Sequence, residues 1–267
     1  MKEERSSVFY ITLGIAMIST TLFLLAVRYG WLGLPDTAAM GEFCEAWKEG
    51  PIREVVNTWS NLAFIAAGLY IAWELMRGTY GQNENSFTQN SFYATFFPCL
   101  VVLIGPSSMA LHATNTLPGQ FFDRLSMYLV ASFLMSYSAQ RFFNLKPFHF
   151  VFLFLFSVLG AVWAHFQNFY FLFDYSGRAV FALYMVITIV VESLNVYRQK
   201  WHRQTRWLLF SVASLAVAFT IWNLSKTGAP LCDPASLIQG HGIWEVLSAV
   251  ALYFLFRYYV SETRILK

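Results

Sequence analysis

Charge is scarce in this sequence: Asp, Glu, Lys and Arg make up only 12% of its 267 residues, against 57% hydrophobic. Ordinary soluble domains carry about 25% charged residues, so a water-soluble globular fold is excluded. The formal net charge is only +3, and no basic stretch is interleaved with aromatics, which excludes a nucleic-acid partner. Also missing are a G-x-S-x-G elbow, a P-loop and an H-E-x-x-H pair, and with them the reactions those motifs support. There is no tandem repeat, no low-complexity tract and no link long enough to hold a second soluble domain.

What the chain has instead is long apolar runs, several of 18 residues or more without a charge. Strands of soluble folds are far shorter, so these are membrane-spanning helices. Eight are predicted, over 8–28, 55–76, 92–114, 121–140, 148–165, 177–197, 207–224 and 242–259. The first follows Lys2 and Arg5, yet the bulky Arg28-Tyr29-Gly30-Trp31 after it is no signal-peptidase site, so it is expected to remain as a span. The fold class is therefore all-α, a multi-pass transmembrane helical bundle, with residues 1–30 as an extra N-terminal helix and 31–267 as a seven-helix membrane domain.

Lys and Arg fall unevenly across this topology. With a cytoplasmic N-terminus, the outer side holds only Arg28, Lys48, Arg53, Arg124, Arg178 and Lys226, and the other basic residues, including the dense run from Arg198 to Arg206, lie inside. Both termini are thus expected in the cytoplasm. The same assignment puts five polar residues near the external or lumenal leaflet: Ser108 and His112 at the end of the third span, Asp123 at the start of the fourth, and His241 and Glu245 at the start of the eighth.

Ionisable groups at a span end are costly and suggest a use. Ser108 and His112 share a helix face, as do His241 and Glu245, since residues four apart are neighbours on a helix. Pro106, just before the first pair, predicts a kink or an opened turn. Two histidines and a carboxylate form a zinc set with a fourth position open, and Ser108 and Asp123 are suited to position water beside it. His149, His165 and His202 lie away from this cluster and read as structural or solvated.

At these residues the chain resembles the alkaline ceramidase family and, more distantly, the seven-span hydrolase superfamily that includes adiponectin receptors and GPI-anchor remodelling enzymes. The resemblance covers roughly Cys44 to Tyr259. It rests on Ser108-x3-His112, on Asp123, on Asn57-Thr58-Trp59-Ser60-Asn61, and on Cys232-Asp233 followed by Gln239-Gly240-His241-Gly242-Ile243-Trp244. Where the family has His-x3-His, this chain has His241-x3-Glu245.

The resemblance implies a zinc ion held by three side chains, here His112, His241 and Glu245. Ser108 and Asp123 would act as catalytic partners in cleaving the amide of ceramide or a related N-acyl lipid that enters from the bilayer. A carboxylate in place of the third imidazole adds negative charge, lowers the metal's Lewis acidity and raises the pKa of its water. A non-catalytic lipid-binding or receptor-type protein with a structural metal is the alternative. Some relatives also bind calcium ahead of the first core helix, which points to Glu42, Glu45 and Glu54, although Trp47 stands where an asparagine is expected.

Of the three cysteines, Cys99 lies inside a span, whereas Cys44 and Cys232 fall in external loops, where disulfides are permitted. A Cys44–Cys232 bridge is predicted, pinning the acidic loop beside the last helix. Aromatics at span ends, such as Trp31, Trp59, Trp201, Trp207 and Tyr258, serve as interfacial anchors. Trp244 and Phe122 are candidates to line a cavity for lipid tails.

Overall fold

In hydrocarbon a backbone N–H or C=O has no water to turn to, so an apolar run must satisfy its hydrogen bonds within itself. The computed structural model resolves these runs into helices; it describes residues 2–37, 39, 43–78, 85–89, 91–167, 176–198 and 201–264. The helices are α1 (Lys2–Tyr29), α2 (Val55–Ser60), α3 (Leu62–Arg77), the short α4 (Ser86–Gln89), α5 (Ser91–Thr114), α6 (Leu117–Phe143), α7 (Pro147–Phe166), α8 (Ser176–Tyr197), α9 (Thr205–Leu224) and α10 (Gly240–Val260). Extended structure among the described residues is confined to the two-residue segments Trp201–His202 and Thr263–Arg264. Among the described residues seven spans, over Ser6–Tyr29, Val55–Arg77, Phe92–Thr114, Pro147–Phe166, Ala179–Tyr197, Thr205–Leu224 and Gly240–Val260, are long and apolar enough to cross a membrane.

The eighth expected span is α6, which is as long as the others but less apolar. Ser126, Ser132, Ser136, Ser138 and Gln140 dilute its hydropathy, and all five are buried. Polar side chains turned inward are the usual arrangement in a membrane helix.

One expected helix is divided. The run 55–76 becomes α2 and α3, which part at Asn61. The Asn61 amide donates to the Asn57 carbonyl at 2.8 Å, and the Ser60 hydroxyl oxygen lies 3.0 Å from the same carbonyl. Such local side-chain bonds compete with the helical ladder. The turn at Pro106, by contrast, stays helical, and α5 runs unbroken through both Pro98 and Pro106.

The chain forms two compact units. The first comprises residues 1–123 and 203–263. Within it α5 is the most deeply buried helix, with Phe97, Val101, Val102, Met109, His112 and Ala113 at or near zero exposure. Helices α1, α2 and α3 pack on α5, and α10 packs on α9, α3 and α2. Close approach of α3 to α5 depends on Gly68 and Gly105. A Cβ on Gly68 would sit 2.5 Å from Val102 Cγ1, and one on Gly105 would sit 2.7 Å from Ile65 Cγ1. Small residues let membrane helices approach in this way.

The second unit comprises residues 124–202 and 264–267. Its helices α7 and α8 pack together, and Arg141 of α6 pairs with Glu192 of α8 where both are almost fully buried. Ser138 donates a further hydrogen bond to the same Glu192 carboxylate.

Candidate metal centre

The backbone brings the first two members of the site together before any side chain is considered. Just ahead of α2, the N–H of Arg53 donates to the Ala113 carbonyl and that of Glu54 to the His112 carbonyl, both at 3.1 Å. Asn115 ends α5 in the left-handed conformation, with φ of 51°, which Asn tolerates at a helix C-terminus. Its amide then turns back to Glu54 Oε1 at 3.2 Å.

Glu54 Oε2 lies 2.7 Å from His112 Nδ1 and accepts from Asn57 Nδ2 at 3.0 Å. A carboxylate on one imidazole nitrogen fixes the ring and leaves the other nitrogen as a donor to a metal. Burial pushes the Glu54 carboxyl up, but its hydrogen bond with His112 and the charge of that ring, helped by Asn57, hold it below its ordinary value.

His112 Nε2 points at the start of α10. It lies 3.1 Å from His241 Nε2 and 3.3 Å from Glu245 Oε1, and His241 Nε2 is also 3.3 Å from Glu245 Oε1. These three donor atoms therefore form a nearly equilateral triangle. In a tetrahedral zinc set, with each ligand about 2.0–2.1 Å from the ion, neighbouring ligand atoms lie about 3.3 Å apart. The observed edges fit that spacing. The chemistry of the donors fits as well: three electron-pair donors face one another in a buried site, and Glu54, Glu245 and Asp123 bring three carboxylates to two imidazoles. A divalent cation offsets that charge. Among the described residues this is the one group of three or more His, Cys, Asp or Glu whose atoms converge so closely.

Phe43 covers the cluster from the preceding loop, its ring 4.7 Å from that of His112 and 4.4 Å from that of His241. The neighbouring residue, Cys44, is bonded to Cys232, joining two segments 188 positions apart in the chain. Ala46 N–H to the Pro234 carbonyl at 2.9 Å, and Thr227 hydroxyl to the Phe43 carbonyl at 2.9 Å, bind the same two loops.

Most of the residues singled out in the sequence can now be placed. Ser108, one turn before His112, reaches Glu245 Oε1 at 3.5 Å and makes a side-chain hydrogen bond with Asp123. Two of the three acidic residues ahead of the first core helix have defined partners. Glu45 accepts from the N–H groups of Val56 and Asn57, both at 2.8 Å, and so caps α2. Glu54 orients His112, and Glu42 lies outside the described residues. His165 lies in the second unit beside Tyr128. The Trp244 ring is tilted against that of Trp222, at 5.5 Å between ring centroids.

Two contributors are absent from the sequence-based list. Phe43 carries no polar signal. Ser60 hydrogen-bonds Glu245 Oε2, and its only trace in the sequence is its place inside the Asn57–Asn61 segment.

The fold and this cluster define a multi-pass helical membrane protein with a buried His, His, Glu centre at one end of its spans. The chain belongs to the Ceramidase family, whose profile matches residues 37–265. It is 26% identical over 226 residues to the alkaline ceramidase of Drosophila melanogaster, an alignment covering 80% of this chain and 74% of that protein.

Proposed function

We propose that the protein is a zinc-dependent lipid amide hydrolase that cleaves ceramide or a related N-acyl lipid to a fatty acid and an amine. The observation that carries this reading is the convergence of His112, His241 and Glu245 beside the Ser108–Asp123 pair, in a chain of the Ceramidase family. The three converging side chains would hold the ion, whose Lewis acidity polarises a carbonyl and makes a water nucleophilic near neutral pH.

The remaining roles fall to the chain itself. Ser108 Oγ–H donates to the carbonyl oxygen as it gains negative charge. The Asp123 carboxylate accepts the proton lost by the attacking water and returns it to the amide nitrogen as the C–N bond breaks. Phe43 and the bridged loops keep bulk water off the imidazoles. The lipid enters laterally from the bilayer. The charge bias of the loops, together with a disulfide one residue from Phe43, supports a site on the external or lumenal side with both termini in the cytoplasm.

The test is fatty-acid release from ceramide and a panel of N-acyl lipids by purified protein, before and after chelation and zinc replacement. Activity should vanish on chelation, return with zinc, and be absent in His112→Ala. Equal release by wild type and His112→Ala would overturn the mechanism. Glu245 favours one second reading, a lipid-binding or receptor-type protein with a structural metal. Its mark would be an inactive, metal-loaded parent that gains hydrolysis on Glu245→His.

A further inference from the structure

Glu245 offers two oxygens but presents only one to the imidazoles. Oε1 lies 3.3 Å from both His112 Nε2 and His241 Nε2. Oε2 is turned away and is hydrogen-bonded by the Ser60 hydroxyl. That hydroxyl has a second acceptor within reach, the Asn57 carbonyl at 3.0 Å. A carboxylate is the stronger acceptor of the two, because charge-assisted hydrogen bonds are roughly twice as strong as neutral ones. The Ser60 proton therefore goes to Glu245.

Two further features support this contact. Ser60 is the last residue of α2, where the division from α3 brings its side chain to α10. On the α10 side, Gly242 lies three residues before Glu245 and so on the same face. A Cβ at Gly242 would come within 3.3 Å of both Cβ and Oγ of Ser60, so the missing side chain leaves Ser60 its place.

We infer that Ser60 is a positioning residue that holds Glu245 as a one-oxygen metal ligand. The inference rests on the metal-centre reading above. Its logic is that of outer partners of metal ligands, whose loss typically costs 10–100-fold in metal affinity. A carboxylate freed from Ser60 can rotate, bring both oxygens to the ion or leave it. An imidazole at position 245 offers the Ser60 hydroxyl no carboxylate oxygen to donate to.

The experiment is a double-mutant cycle read as zinc affinity, by competition with a chelator, on the full chain purified in detergent. Ser60→Ala should weaken zinc binding about 10-fold or more in the native background and less than about 3-fold in Glu245→His. Ser60→Thr, which keeps the hydroxyl, should restore most of the lost affinity and provides a test that does not depend on how Glu245→His folds. Native affinity in Ser60→Ala, equal losses in both backgrounds, or no rescue by threonine would each overturn the inference. If the wild-type protein binds no zinc at all, the metal reading itself fails, a result distinct from tight binding that ignores Ser60.

Discussion

Replacing Glu54 tests whether His112 is held from behind, and the structure sets the size of the effect. Glu54→Ala deletes the shared partner of three groups: His112 Nδ1 at 2.7 Å, Asn57 Nδ2 at 3.0 Å and Asn115 Nδ2 at 3.2 Å. The Glu54 and His112 side chains are only 6% and 1% exposed, so water cannot substitute. Removing one member of a buried hydrogen-bonded ion pair costs about 3–5 kcal/mol. Glu54→Gln keeps the volume and one acceptor oxygen but turns an NH2 toward one of the donors, and about 1–3 kcal/mol is expected. An unrestrained His112 ring should also lower zinc affinity by about 10–100-fold.

Thermal unfolding in detergent with the metal chelated reports the first effect, and chelator competition reports the second. Wild-type values in both assays for Glu54→Ala would refute the reasoning. The pH dependence has a definite sign. The folded carboxyl is held below its ordinary value of 4.5, so its stabilisation is fully present above that pH and is lost as pH falls through the folded value. Glu54→Gln should lack this component of acid destabilisation while keeping the others.

Three further outcomes are expected. Cys232→Ser should lower stability by about 2–5 kcal/mol, read as a reduced thermal midpoint, with reductant producing a similar loss in the wild type. Gly68→Ala places a Cβ 2.5 Å from Val102 Cγ1 and 2.9 Å from the Pro98 carbonyl and should cost about 1–3 kcal/mol through overpacking; an unchanged midpoint would mean that α3 shifts freely on α5. In the second unit, Glu192→Ala removes the carboxylate beside the buried Arg141 and should cost about 3–5 kcal/mol, whereas Arg141→Met combined with Glu192→Leu should cost less than either single loss of a partner. Strict additivity in that cycle would show the pair to be uncoupled.

The positions of the helices were readable because apolar runs this long have no alternative to the helix in lipid. The division of α2 from α3 was not, since hydropathy does not register the Asn61 side chain drawing on the Asn57 carbonyl. His112, His241 and Glu245 could be picked out by the rarity of ionisable groups at span ends and by i, i+4 spacing. Glu54 stands out in the sequence only for its charge, because nothing local indicates that backbone bonds to Ala113 and His112 set it beside a ring 58 positions away. Ser60 is inconspicuous for a different reason: a serine in a membrane helix usually bonds its own backbone, whereas this one gives its proton to Glu245 of α10.

The bond between Cys44 and Cys232 also changes the connectivity of the molecule. It closes a covalent ring that takes in every element from α2 to α9. Glu54, Ser60, Ser108 and His112 lie on that ring, while His241 and Glu245 leave it shortly after Cys232. A single cut of the peptide chain anywhere on the ring therefore yields no separate fragments, and the segments bearing His112 and His241 stay tethered through sulfur. The centre is joined by two independent covalent routes, one through the whole intervening chain and one that bypasses it.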